Sequence, residues 1–458
     1  MQSATSASTP VPPADDRVGF KSWWLVGVLF FLYVFSWLDR LIIAMLVGDI
    51  KADLHLTDFQ ISLILGPAFA ICYSLFGLPM GWAVDRYPRR WVVYFGVTVW
   101  ALATMASGFA RNFTTLLLGR VGVGMGEATL MPAAYSLIAD EFPQRKLMFA
   151  TSIYQMGGKI GSATAFGLGG LIIAFAETLR DVNWPMVGYL EPWQMVLMMV
   201  GAPGLVFSLL VFTFSEPARK GKATTDDTGA AGGRGLLPTF LGQHWQLLTI
   251  MMVGFSAVAV CGYSLTSWIP EYIERTFHWE PIKYGPALSA MNILAAFTLV
   301  FNGRIVDWLY ARGVKDAHLR FYAWLIAALL PVALLMFSMT SGYVFLGMFG
   351  VIQIVTVPFI LYVSAVVAML APNQIRGQLI ALALFVTTNL GMGLGPVLVG
   401  SLTDYVFHDE AMLGRSLSIV ISGGFIVAMV SMMLSLKYLR PAVERAEARR
   451  EAEAAQTA

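Results

Sequence analysis

The chain has 458 residues, of which 57% are hydrophobic and only 13% are Asp, Glu, Lys or Arg, with a net charge of +2. Soluble domains carry about 25% charged residues, and a soluble chain this long would split into several cores, so a water-soluble globular protein is excluded. Two cysteines, Cys72 and Cys261, both inside apolar runs, exclude a disulfide framework and a cysteine metal cluster.

Residues 1–21 open the chain. The first sixteen are rich in Ala, Ser, Thr and Pro and have no basic segment directly before an apolar core, so they read as a disordered cytoplasmic tail rather than a signal peptide. Apolar stretches of about 20 residues follow, each long enough for a helix across the bilayer. They fall at 22–46, 58–82, 91–110, 113–139, 148–175 and 192–214, then at 245–271, 285–306, 320–340, 344–370, 377–404 and 415–436. The expected fold class is therefore an all-α membrane protein of twelve transmembrane helices. The segment 215–244, with GKATTDDTGAAGGRG at its centre, reads as a flexible cytoplasmic linker. It separates a six-helix bundle at 22–214 from another at 245–436. Residues 437–458 form a charged, helix-prone cytoplasmic tail.

With the N-terminus inside, and with Arg304 and Arg320 at inner span ends counted as inner, 21 of the 30 Lys and Arg lie on the inner side, 6 on the outer side and 3 deep within spans. The inner set includes Arg145, Lys146, Arg219, Lys220, Arg312 and Lys315; the outer set is Lys51, Arg111, Arg180, Arg275, Lys283 and Arg415. This bias places both termini in the cytoplasm by the positive-inside rule. The expected location is a bacterial inner membrane.

The halves echo each other. Gly81-Trp-Ala-Val-Asp85-Arg86 follows span 2, and Gly303-Arg-Ile-Val-Asp307-Trp308 follows span 8. Pro143 with Arg145 precedes span 5, and Pro372 with Arg376 precedes span 11. Glycine-rich runs recur in spans 5 and 11 (GGKIGSATAFGLGG and NLGMGLGPVLVG), where small residues let helices approach and slide. Parallel repeats of this kind imply a pseudo-two-fold along the membrane normal, with a site between the halves near midplane.

Five ionisable residues interrupt the first-half spans: Asp39, Arg40, Arg120, Glu127 and Lys159. Charge inside a membrane is expensive, so such residues face a bundle interior or watery cavity and mark substrate or proton pathways. Arg120 and Glu127 are seven apart on nearly one helix face. Depth counting leaves Glu127 two partners, Lys159 or Arg40, and sets Asp39 near Arg120. Their alternative role is a satisfied buried ion network that fixes helix register.

The loop Gly77-Leu-Pro-Met-Gly81-Trp-Ala-Val-Asp85-Arg86-Tyr-Pro-Arg89-Arg90 resembles the inner-loop signature of the major facilitator superfamily of transporters. Pro88 follows Tyr87 near the place where that signature usually has a glycine. The resemblance implies that Gly81, Asp85, Arg86, Arg89 and Arg90, with Asp307, gate the inner ends of the halves, Gly81 through close helix contact. Trp-Leu-Asp39-Arg40, GDIKADLHLTDFQ and VGVGMGE127A together resemble the spinster branch, whose animal members transport lysolipids and sphingolipid phosphates. An Asp-Arg in span 1 also occurs in organic anion:proton symporters.

The resemblance implies alternating access driven by protons, with Glu127 and Asp39 coupling to protons. Arg40, Glu127, Arg120 and Lys159 would meet an anionic headgroup. In the second half Tyr263, Trp268, Asn292, Tyr362 and Asn389 are candidates to line an amphipathic pocket. The expected partners are a small-molecule or lipid-like substrate, protons and membrane lipid, for a monomer that binds no nucleic acid. Alternatives are an organic anion:proton symporter, a multidrug exporter and, outside transport, a membrane sensor. The chain lacks a P-loop, a Gly-x-Ser-x-Gly elbow and paired histidines at metal spacing, so no enzyme activity, metal or cofactor is expected.

Overall fold

A computed structural model describes residues 18–185, 188–219 and 236–457. Most of the tail expected at 1–21 and the centre of the linker, including Lys220, lie outside the described residues.

The first half begins with α1 (Phe20–Ile42), which runs into a 3-10 turn to Met45, and the short helix α2 (Val47–Leu54). Span 2 is split into α3 (Asp58–Leu65) and α4 (Pro67–Arg86). Its start is a capping box: the Thr57 hydroxyl accepts from the Gln60 amide and the Gln60 side chain accepts from the Thr57 amide, which closes two orphan donors at once. Span 3 is α5 (Arg89–Ser107). Span 4 is broken into α6 (Phe113–Glu127) and α7 (Leu130–Glu141), with the Thr129 hydroxyl donating to the Gly126 carbonyl at the break. Then come α8 (Gln144–Glu177) and α9 (Pro192–Ser208).

The second half consists of α10 (Leu236–Phe277), α11 (Pro281–Ala311), α12 (Ala317–Leu335), the broken span α13 (Gly342–Thr356) and α14 (Phe359–Leu370), α15 (Asn373–Ser401) and α16 (Leu413–Thr457). Helix α10 starts nine residues before the expected 245, and α16 continues through the charged tail. Ten helical stretches among the described residues, with α3–α4 and α13–α14 each counted as one, are long and apolar enough to span a membrane. The other two expected spans are α5, diluted by Arg and Thr, and the α6–α7 pair, diluted by Arg120, Glu127 and glycines.

The packing repeats as the sequence repeats. Within the halves α1 packs on α8 as α10 packs on α15, and α5 packs on α9 as α12 packs on α16. Between halves, α8 packs on α11, and α3 and α4 pack on α15; span 5 meets span 8 and span 2 meets span 11, which the pseudo-two-fold exchanges. Glycine makes these crossings close. A Cβ on Gly170 would stand 2.5 Å from the Pro281 carbonyl oxygen, and one on Gly66 would stand 2.5 Å from that of Met392, nearer than any side chain tolerates.

Gly81 and Gly303 differ from this expectation, since nothing lies within 4 Å of a Cβ at either position. Among the described residues, the repeated loop motifs make no hydrogen bond or ion pair with the other half. Among the described residues, hydrogen bonds and ion pairs between the halves run from the Lys51 end of the molecule down to Ser74–Asn389 and Ser162–Asn292. The halves are therefore tied together at the Lys51 face.

Candidate functional site

Four of the five charges meet in one buried cluster between α1, α5 and α6. Helix α1 places Ser36, Asp39 and Arg40 on consecutive turns toward α6. Arg40 Nη2 donates to Glu127 Oε2 at 2.5 Å, and the Ser36 hydroxyl donates to the same oxygen at 2.8 Å. Behind them Arg120 Nη1 lies 4.0 Å from Asp39 Oδ1, while the Thr104 hydroxyl donates to Asp39 Oδ2 at 2.6 Å. Arg120 Nη2 also donates to the Arg40 carbonyl, which ties the two pairs together.

Exposure separates their roles. The side chains of Asp39, Glu127 and Arg120 are 0%, 1% and 2% exposed, and that of Arg40 is 13% exposed. Arg40 is the group of the cluster that solvent or a ligand reaches. Its guanidinium lies over Trp37, Phe69 and Tyr73 at 4.9, 4.4 and 5.5 Å from the ring centroids, a cage that holds a cation by ring quadrupoles without neutralising it. Glu127 Oε1 and Asp39 Oδ1 are buried with no hydrogen-bond donor.

The two pairings left open for Glu127 resolve to Arg40. Lys159 on α8, the other partner left open, forms no ion pair among the described residues. A helix of 34 residues gives depth but not the azimuth of its side chains.

The second-half candidates divide. Tyr263 is half-buried on α10 against Gly391, within electrostatic reach of Arg40. Asn389 on α15 is half-buried and hydrogen-bonds Ser74 of the first half. Asn292 is buried where α8 crosses α11, accepting from Ser162 and donating to the Leu288 carbonyl. Trp268 and Tyr362 do not line a pocket. Trp268 is fully buried and donates to the Pro396 carbonyl; Tyr362 is buried, stacked on Tyr322 at 4.1 Å, and donates to Asn302. Both hold helices of one bundle together. Trp268→Phe is expected to leave substrate affinity within about twofold while lowering stability by about 1 kcal/mol for the lost hydrogen bond, read by ligand titration beside thermal unfolding.

The gate candidates also divide. Asp85, Arg86 and Asp307 are exposed, with Arg86 lying over Trp82. Arg89 is instead fully buried. It pairs with Asp140 and Glu216, and donates to the carbonyls of Ser136 and Pro217. Arg90 donates to the Phe214 carbonyl, and Arg219 to those of Val84 and Tyr87. These contacts bind α4, α5, α7 and the 214–219 segment of a single bundle, so Arg89 and Arg90 are internal struts here rather than ties between halves. Arg89→Gln leaves two carboxylates without their buried partner, and removing one member of such a pair costs about 3–5 kcal/mol; a fall in thermal midpoint with loss of folded yield is expected.

The lock between halves lies at the opposite face and was not anticipated from the sequence. Asp58, fully buried, accepts from Arg275 at both oxygens (2.8 and 2.9 Å) and from Lys51 Nζ at 2.5 Å. Arg275 Nε donates to Glu271 at 2.5 Å, Lys51 reaches Glu410 at 3.0 Å, and the Phe59 amide donates to Asp404 at 2.6 Å. A polar recess of about 760 Å³ opens over this lock, lined among others by His55, His408 and Asp409.

The profile of the Major Facilitator Superfamily matches residues 29–396. Across 97% of this chain and all of the relative, the sequence is 27% identical to an MFS-type efflux pump of Mycolicibacterium smegmatis. It is 26% identical to a D-galactonate transporter of Escherichia coli, over 66% of this chain and 71% of that one. It is 27% identical to spinster homolog 1 of Xenopus tropicalis, over 57% of this chain but 48% of that one. The fold is similar to a crystal structure of a bacterial homolog of the lysosomal transporter spinster in an inward-facing, unoccupied conformation, with TM-score 0.75, 22% identity, and 93% and 97% of the two chains covered. The signature loop, the repeated helix pairs and the profile agree: the chain is a transporter, not an enzyme, and belongs to the major facilitator superfamily, with a resemblance to its spinster branch.

Proposed function

We propose that the chain is a proton-coupled secondary transporter of an anion with an apolar body, in which Arg40 takes the anionic group and Glu127 takes the proton. The observation that carries this is the Arg40–Glu127 pair. Arg40 is the accessible member, held by three aromatic rings, and its partner carboxylate is sealed from solvent with one oxygen already lacking a donor. An anion that claims the guanidinium leaves Glu127 as an uncompensated charge out of water, where a carboxylate favours its neutral form. Anion and proton thus bind together. Asp39, with Arg120 and Thr104, holds Arg40 in place from behind and is the second proton-accepting candidate.

With the Lys51 face tied shut, the site opens toward the Arg86 face, which the positive-charge bias makes cytoplasmic. A lysolipid- or sphingoid-phosphate-like amphiphile suits the charged first half and apolar second half. The 26% identity to a D-galactonate transporter favours a second reading, a small sugar-acid-like anion held by the same pair.

Proteoliposomes carrying a pH-sensitive dye test this. Lysophosphatidate, sphingosine phosphate and galactonate are added separately, and each anion that is carried is expected to move about one proton with it. Flux that is indifferent to pH and moves no protons would overturn the coupling. The anion that responds decides between the readings.

A further inference from the structure

The closed Lys51 face holds more acid than its cations can satisfy. Arg275 is engaged at all three nitrogens: Nε to Glu271, Nη1 to Asp58 and the Glu410 carbonyl, and Nη2 to Asp58. Lys51 is shared between Asp58 and Glu410. That leaves Glu271 Oε2 buried with no hydrogen-bond partner, on a side chain only 4% exposed. The orphan oxygen points at Gly48 of α2. It lies 3.3 Å from where a Cβ on Gly48 would stand, and Glu274 Oε2 lies 3.5 Å from the same point. Two carboxylate oxygens on successive positions of one helix face therefore converge on a spot emptied by a glycine. The other oxygen of Glu274 accepts from the Tyr284 hydroxyl at 2.5 Å, so no cation pairs with Glu274 among the described residues.

Like charges brought together out of water do not both ionise. We propose that Glu271 and Glu274 share one proton while the Lys51 face is closed and surrender it to that side when the face opens. This site is separate from Glu127 and does not rest on it. The charged and titratable groups facing the pair are Arg275 on α10, Lys51 and Asp49 on α2, Asp58 on α3 and Tyr284 on α11. Burial and the neighbouring Glu177 carboxylate push the Asp49 carboxyl above its ordinary value.

The sign follows from where the proton is held more tightly. The closed state binds it and the open state does not, so acid on the Lys51 side favours closure. One linked proton changes the closed-to-open ratio by up to about tenfold per pH unit between the two affinities. An acidic exterior would hold the protein open to the opposite side, and a neutral or alkaline exterior would release it.

The test is the distance between spin labels at Ala52 and Asp409, exposed positions on the two sides of the recess, in nanodiscs between pH 5 and 9. Cys72 and Cys261 are replaced by Ser. The wild type is expected to close as pH falls, with a slope approaching tenfold per unit. Glu271→Gln with Glu274→Gln should remain closed and lose the slope, since amides mimic the neutral pair; Glu271→Gln alone should already flatten it. Glu127→Gln should keep the slope. The proposal is overturned by distances independent of pH in the wild type or by an unchanged slope in the double variant. It is equally overturned by a slope lost only in Glu127→Gln, or by closure that follows sodium at constant pH.

Discussion

Glu127→Gln is expected to abolish proton-driven accumulation while leaving anion exchange in place. The amide oxygen still accepts from Arg40 and Ser36, which now share Glu127 Oε2, so the local shape survives. What disappears is the charge that an arriving anion would displace and a proton would then cancel. A single coupled proton gives about a tenfold concentration ratio per unit of pH difference, since one unit is worth about 1.4 kcal/mol. In proteoliposomes with a one-unit gradient the wild type should approach that ratio, and the variant should stop near equality. Counterflow of labelled against unlabelled substrate should continue. Arg40→Ala should behave differently, losing binding and both modes of flux. A variant at Glu127 that still accumulates substrate with the wild-type pH dependence would remove this residue from the coupling step.

Arg275→Ala should turn the transporter around. In the closed state the substitution strips Asp58 of its bidentate partner and leaves Glu271 with none, both in protein that excludes water. Breaking a buried pair from one side costs about 3–5 kcal/mol, or roughly a hundred- to a few-thousand-fold in a conformational ratio. Opening the face returns both carboxylates to water, so the penalty falls on the closed state. Ser62, fully buried on α3 with its Cβ 3.0 Å from the Cβ position of Gly400, reports this directly. A cysteine there, in a background without Cys72 and Cys261, should be shielded from an impermeant maleimide. In Arg275→Ala its labelling from the Lys51 side should accelerate at least tenfold, with partial recovery in Arg275→Lys. Equal labelling rates would mean that the helix crossings alone keep the face shut.

What was legible in the chain follows from what hydrocarbon makes rare. Asp39, Arg40, Arg120 and Glu127 stood out because apolar runs surround them, and the structure joins them in one network. The repeat was legible because glycines and loop motifs recur at matching places. The lock at Lys51, Asp58, Glu271 and Arg275 was not, because charges at the ends of spans are ordinary and only tertiary contact distinguishes a tie from a solvated residue. Arg89 shows the converse: its motif marks it as a gate, yet Asp140 and Glu216 hold it inside one bundle. Trp268 and Tyr362 were misjudged because a helix apolar on every side gives no clue to which face meets a cleft.

The recess above the lock has a pharmacological consequence. Its walls come from both halves: Lys51, His55 and Thr57 from one, Glu271, Asp404 and His408 from the other. A compact antibody loop or polar macrocycle seated there would clamp the halves in the arrangement seen here. It would never meet a solute in the cleft, because the lock lies between them. Inhibition from this side would therefore lower the maximal turnover without being relieved by more solute, and the drug would need no resemblance to the cargo.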